Sequence, residues 1–191
     1  MSTIVLIRHG ETDSVGRFCG HSDPRLNASG ERDAIRVAEE ISRLDISCIY
    51  SSDLRRAAQT ARAIAKRTGI TVEYLRELRE IHFGWWEGLS WNEIETRFAD
   101  EAHQWLREFP FHSAPGGEIY TDFTSRVETA IEPLLRGTPE MRIAVVTHRG
   151  VMRHVLTKLF DFAETEASTR TAAYGATVIS ASPQSRCEEL P

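Results

Sequence analysis

The sequence predicts a three-layer α/β/α fold, with a mainly parallel central sheet, helices on both faces and a helical insertion. Three observations predict it. Five short runs rich in Ile and Val lack clean alternation of apolar and polar residues, as strands covered on both faces do. Amphipathic helical patterns separate them, as the crossovers between parallel strands must. From Gly84 to Arg136 the strand signal disappears and helical patterns replace it.

The strand runs are Thr3 to Ile7, Ile46 to Tyr50, Ile70 to Tyr74, Arg142 to Thr147 and Ala176 to Ser180. After the first, Asn27 or Ser29 can cap a helix whose apolar positions are Ala34, Val37, Ala38, Ile41 and Leu44. After the second, Ser52 can cap a helix over Asp53 to Arg67, with Leu54, Ala57, Ala58, Ala61, Ile64 and Ala65 on one stripe and Thr68-Gly69 as its stop. Within the central block, Ser90-Trp91-Asn92-Glu93 has the capping-box form ahead of a helix to about Phe109. Phe109 to Gly117, with two prolines and paired glycines, reads as a loop. A further helix with Phe123, Val127, Ile131 and Leu134 inward runs toward Gly137 and is expected to be disturbed at Pro133.

The whole chain of 191 residues is expected to form a single domain, 1–191, with the helical insertion at about 85–136, because no Gly/Ser- or Pro-rich linker delimits that block. Hydrophobic residues make up 41% and charged residues 27%, which argues against disordered, fibrous and membrane-embedded chains. A formal charge of -5 with scattered basic residues argues against a nucleic-acid or membrane surface as partner. Cys19, Cys48 and Cys187 are far apart, which suggests neither a disulfide framework nor a cysteine zinc site. The apolar run Ile4 to Ile7 is too short for a signal peptide or a span, so a cytoplasmic protein is expected. Oligomeric state is left open, a homodimer included.

Open parallel sheets bind ligands beyond the carboxyl ends of their strands. The first strand runs into Arg8-His9-Gly10-Glu11-Thr12, the second into Ser51-Ser52-Asp53-Leu54-Arg55-Arg56 and the fourth into His148-Arg149-Gly150. Each piece alone has an ordinary reading: a histidine at a strand end is commonly hydrogen-bonded structure, and an arginine at a helix start is commonly solvated. Together they place two His and several Arg on one rim, a poor metal site and a good cradle for a phosphate dianion. An imidazole in that cradle can attack phosphorus and carry the phosphoryl group covalently. His9 suits this role better than His148, since Gly10 lets the backbone turn tightly behind it.

Arg8-His9-Gly10-Glu11-Thr12 after a strand resembles the signature of the histidine phosphatase superfamily, and the resemblance spans most of the chain. Ser52-Asp53-Leu54-Arg55-Arg56-Ala57 with Thr60-Ala61 is similar to the second motif of that family, which implies that Arg56 binds phosphate. Glu77 to Gly88 resembles the third, implying Glu80 as the acid, and Val145 to Val151 the fourth, implying His148 as a second phosphoryl contact. The resemblance implies a metal-independent phosphomonoesterase that needs no cofactor and acts on a small-molecule phosphate ester. His9 and Glu80 are the catalytic pair, and Arg8, Arg56 and His148 bind phosphate. The helical insertion then lies over the active site. Glu80 must hold its proton to act as acid, which burial beside Phe83 or Trp85 would favour.

Three positions depart from the family pattern. Val15 stands where Asn is common, Arg149 where the fourth motif has glycine, and Asp33 where Gln is expected and where a surface change is read. Gly16 to Asp23 looks closest to the α-ribazole phosphatase type, and places Cys19 and Gly20 as candidate substrate contacts; Arg149, from the fourth motif, is a third candidate, with the alternative that its side chain turns outward. Cys19 has the alternative of a small buried hydrophobe. Trp85, Trp86, Trp91 and Trp105 are candidates to wall a pocket over the organic leaving group. The insertion carries no basic run to retain a second anion, which favours hydrolysis over a phosphoglycerate mutase. A non-catalytic phosphate-binding module is the remaining alternative.

Overall fold

The structure, a computed structural model, describes residues 2–180. Five strands form one sheet: β1 (Thr3–Arg8), β2 (Cys48–Ser51), β3 (Val72–Tyr74), β4 (Arg142–Thr147) and β5 (Thr177–Ser180). Their order is β3-β2-β4-β1-β5, with β5 alone antiparallel to its neighbour, so the sheet is mixed and mostly parallel. Cys187 lies outside the described residues, and Cys19 and Cys48 are free thiols. No described helix is long and apolar enough to cross a membrane.

Side chains alternate across β1, and both faces are covered. Ile4 and Leu6 enter a core with Ile143, Val145 and Val178, under α5 (Tyr120–Leu135) and α6 (Arg149–Leu159). Val5 and Ile7 enter a second core with Ile49, Ala144 and Val146, under α1 (Ala28–Ile41) and α2 (Arg55–Thr68). This double burial is the physical reason for the apolar runs without alternation. The third run behaves differently: β3 is an edge strand with Glu73 and Tyr74 exposed.

Local chemistry sets most helix ends. Asn27, rather than Ser29, caps α1 by accepting from the Gly30 N–H at 2.8 Å. Gly69, in the left-handed region at φ 77°, ends α2. The start of α2 is a correction. Ser52 does not cap it; the helix begins at Arg55, whose N–H donates to the Asp23 carboxylate at 2.6 Å, so the cap comes from a distant loop.

The central block divides where the sequence shows no break. The capping box at Ser90 and Glu93 forms, but the helix it starts, α3 (Trp91–Arg97), ends at Phe98, where non-helical backbone (φ -138°, ψ 45°) separates it from α4 (Ala99–Glu108). These two helices gather their own small core of Trp86, Ile94, Ala102 and Ala114. The next helix, α5, instead packs on the sheet, and it continues past Pro133 to Leu135. With Pro133 so near the end, the cost of its missing N–H is confined to the last turn. Helix α7 (Glu164–Arg170) follows α6 and precedes β5.

Candidate active site

Register builds the site. Arg8 pairs with Thr147 across β1 and β4, so His9 and His148 leave the sheet side by side, and their rings stand 5.1 Å apart. Ser51 pairs with Val146 on the other side of β4, which brings Ser52 to the same rim, 2.9 Å from His148 Nε2. Three strand ends that are far apart in sequence thus meet, as the strand-end pattern predicts.

His9 is buried, and its Nδ1 lies 2.7 Å from the Gly10 carbonyl. A carbonyl only accepts, so Nδ1 carries the proton and Nε2 keeps its lone pair. Burial first, then the Arg56 and Arg8 charges, holds the imidazole well below its ordinary pKa of 6.5, against the opposing pull of the Gly10 bond. The ring is therefore neutral near pH 7. The role of Gly10 differs from the tight turn expected: a Cβ there would lie 2.4 Å from the Gly30 carbonyl oxygen, so Gly10 permits contact with the first turn of α1. Asp33, expected as a surface change, accepts from the Glu11 N–H at 3.3 Å behind this segment.

Arg8, Arg56 and His148 surround His9, and each carries a buried nitrogen with no hydrogen-bond partner: Arg8 Nε, Arg56 Nε and His148 Nδ1. Buried nitrogens without a partner cost free energy in isolation and call for an explanation. Arg56, fully buried, spends its other nitrogens on the carbonyls of Gly20 and Ser22, both at 2.7 Å, and of Cys19 at 3.3 Å. Arg8 donates to the carbonyls of Thr171 and Ala172 and lies 4.0 Å over the Tyr174 ring. Burial first, then Arg56 and His9, pushes the His148 imidazole well below its ordinary range.

Glu80 is buried at the edge of this group. Its carboxylate accepts from the Ile81 N–H at 3.0 Å and from the Gly150 N–H, in the first turn of α6, at 2.9 Å. A Cβ on Gly150 would lie 2.2 Å from Glu80 Oε1, so glycine is what lets the carboxylate reach the helix. Phe83 lines the same cavity as Glu80, whereas Trp85 is 68% exposed and does not bury it.

A cavity of about 280 Å³ opens on His9, lined also by Arg8, Thr12, Cys19, Glu80, Arg149 and Tyr174. Cys19 and Arg149 therefore face it. Gly20 does not: it is buried, a Cβ there would lie 2.1 Å from the Ile81 carbonyl oxygen, and its own carbonyl is an anchor for Arg56. Val15 is exposed. Trp105 lines the larger cavity next to this, and neither cavity is lined by the other three tryptophans; Trp86 is fully buried core.

Four residues at the site were given no role by the sequence reading. Arg126 donates to the carbonyls of Glu77, Arg79 and Glu80 and pairs with Glu118, bracing the Glu80 segment. Glu87 accepts from the N–H groups of Gly20, His21, Ser22 and Phe83, fixing the loop that Arg56 grips. Thr60 accepts from the Gly10 N–H at 3.1 Å, and Tyr174 stands 5.7 Å from the His9 ring. No local pattern marks Tyr174. For Glu87 the readable signal was a carboxylate set in a turn-rich segment, between Trp86 and Gly88. Among the described residues no group of three or more His, Cys, Asp or Glu is arranged to hold a metal ion.

A family profile, that of the histidine phosphatase superfamily (branch 1), matches residues 4–188. The chain is 38% identical over 156 residues to phosphoglycerate mutase-like protein 4 of Arabidopsis thaliana, covering 78% of this chain and 67% of that protein. It is 31% identical over 155 residues to phosphoserine phosphatase 1 of Hydrogenobacter thermophilus, covering 80% and 74%. Among solved structures, the α-ribazole phosphatase of Shigella flexneri aligns with a TM-score of 0.83 at 26% identity, over 93% of this chain and 89% of that one.

Proposed function

Since this chain belongs to the histidine phosphatase superfamily and is a phosphatase, we propose that it passes the phosphoryl group of a small organic monoester first to His9 and then to water. The observation that carries this reading is the neutral His9 ring, with Nδ1 anchored and Nε2 free, set among the unpartnered nitrogens of Arg8, Arg56 and His148. Nε2 attacks phosphorus, and the bond from phosphorus to the ester oxygen breaks. Arg8, Arg56 and His148 stabilise the charge on the equatorial oxygens. Glu80, held at the rim by Gly150, gives its proton to the departing alkoxide. It then takes a proton from the water that attacks the phosphohistidine, which restores both residues.

Nothing in this sequence of steps draws on a metal ion, since the guanidinium groups of Arg8 and Arg56 supply the positive charge. The relatives act on different alcohols, phosphoserine and α-ribazole phosphate by their names, so the panel to be assayed includes both, with phosphoglycerates and sugar phosphates. The test is single-turnover reaction with a labelled monoester followed by alkaline quench. A base-stable, acid-labile phosphoryl group is expected on His9, lost with turnover in His9→Ala, and chelator is expected to leave the rate unchanged. Label persisting in His9→Ala, or interconversion of phosphoglycerates with little hydrolysis, would overturn the reading.

A further inference from the structure

Beside the His9 cavity lies a larger one of about 950 Å³, and the two share four wall residues: Phe18, Glu80, Phe83 and Arg149. The smaller holds a phosphoryl group with room for only a small residue of substrate beside it, while the larger is in the range that encloses a drug-sized ligand. Glu80 stands in both walls. A leaving oxygen protonated by Glu80 therefore directs the alcohol it belongs to into the larger space.

The walls of that space are chemically unlike. The insertion side and α5 present aromatic rings, among them Phe18, Trp105, Phe109, Tyr120 and Phe123. Helix α6 lines the same space with Arg149, Arg153 and Lys158. At 1.5 Å per residue the first two cations are about 6 Å apart along the helix, and the third lies about 7.5 Å further from His9. Arg149 has a hydrogen bond only to the Ser168 hydroxyl, and Arg153 pairs with Glu164. Like charges four residues apart on one helix face repel, and burial together with Arg149 pushes the Arg153 guanidinium down from its usual range. His154 is buried, and burial pushes its pKa down, so it adds no charge near neutrality. Arg153 is thus paired with Glu164, and Glu128 is taken up by His154, while neither Arg149 nor Lys158 has a carboxylate partner among the described residues.

We propose that the larger cavity is the leaving-group subsite and that the α6 cations bind a carboxylate on it, so that the substrate class is a phosphomonoester of an aromatic alcohol carrying a carboxylate. The aromatic wall stacks on the body of the alcohol, and the cations without a carboxylate partner match a planar monoanion. The clamp comes from the helix that follows His148, so the absence of a basic run in the insertion does not bear on it. This inference rests on the phosphatase reading above.

Two esters with leaving oxygens of similar basicity test it: benzyl phosphate and 4-carboxybenzyl phosphate. Wild-type enzyme is expected to favour the carboxylated ester about tenfold or more in kcat/KM. In an R153Q/K158Q double variant, with Arg149 kept because it also borders the phosphate cavity, that ratio should fall toward one. Thermal melting checks that the variant is folded. A wild-type ratio near one with both esters turned over, or a ratio kept in the folded double variant, overturns the subsite while leaving the phosphatase reading intact. Turnover of neither ester, together with no label on His9 from any monoester, overturns both.

Discussion

One hydrogen bond selects the reactive atom of His9. Because Gly10 offers a carbonyl, the ring must donate from Nδ1, and the atom left with a lone pair is Nε2. A comparable local choice fixes Glu80, whose carboxylate reaches the Gly150 N–H only because residue 150 lacks a Cβ. Replacing Gly150 with Ala should displace the flexible end of Glu80 at little cost to the fold. Its effect should then copy that of Glu80→Gln: a loss of roughly 10²-fold in single-turnover phosphorylation by benzyl phosphate, the usual magnitude for a positioned acid. The loss should be much smaller for p-nitrophenyl phosphate, whose leaving group needs little protonation. Equal losses for the two substrates in both variants would remove Glu80 from the acid role.

Between secondary-structure elements, Arg126 on α5 is the brace. Its guanidinium holds three carbonyls of the segment ending at Glu80 and pairs with Glu118 at 2.6 Å, both side chains being about four-fifths buried. Burial pushes the Glu118 carboxyl up, but the Arg126 bond and charge outweigh it and hold the group below its usual range. Arg126→Met should therefore cost about 2–3 kcal/mol, since it leaves a carboxylate and several carbonyls short of partners. Adding Glu118→Gln should recover part of the stability, measured by urea unfolding, and none of the turnover, because the carbonyl bonds near Glu80 are still missing. Recovery of both together would mean that Arg126 matters only through its ion pair.

For the molecule as a whole, buried neutral imidazoles make stability depend on pH, His9 and His148 most and His154 less. His9 and His148 both have folded pKa values well below the ordinary 6.5. Above that value both rings are neutral whether folded or not, and stability is full. As pH falls below it, the unfolded chain takes up protons that the folded one refuses. Stability is then lost at up to about 1.4 kcal/mol per pH unit for each ring, until the folded values are reached. The depressed carboxylates Asp53, Glu87 and Glu118 lose their contributions in a lower window, beneath their ordinary values of 3.8 to 4.5. Unfolding free energies measured between pH 7.5 and 5.5 should fall with acidification, and His148→Asn should flatten that slope. An unchanged slope in the variant would show that His148 is protonated at little cost in the native state.

Much of this was legible in order along the chain. The apolar runs marked five strands, and the Ser90 and Asn27 caps marked two helix starts, because strand burial and capping are written in neighbouring residues. Arg8, His9, Arg56, Glu80 and His148 were legible as a group because each stands at or just beyond a strand or helix end, in motifs that resemble one family. The break at Phe98, the capping of α2 by Asp23 and the edge position of β3 were not, since each depends on what a distant segment places alongside. Gly10 illustrates the difference. Its being glycine is plain in the sequence, but the reason, a carbonyl of Gly30 that a Cβ would strike, exists only once α1 packs against β1. The same holds for the cations of α6. Arg149, Arg153 and Lys158 are ordinary residues of an amphipathic helix until the fold makes them line one cavity together with a set of aromatic rings.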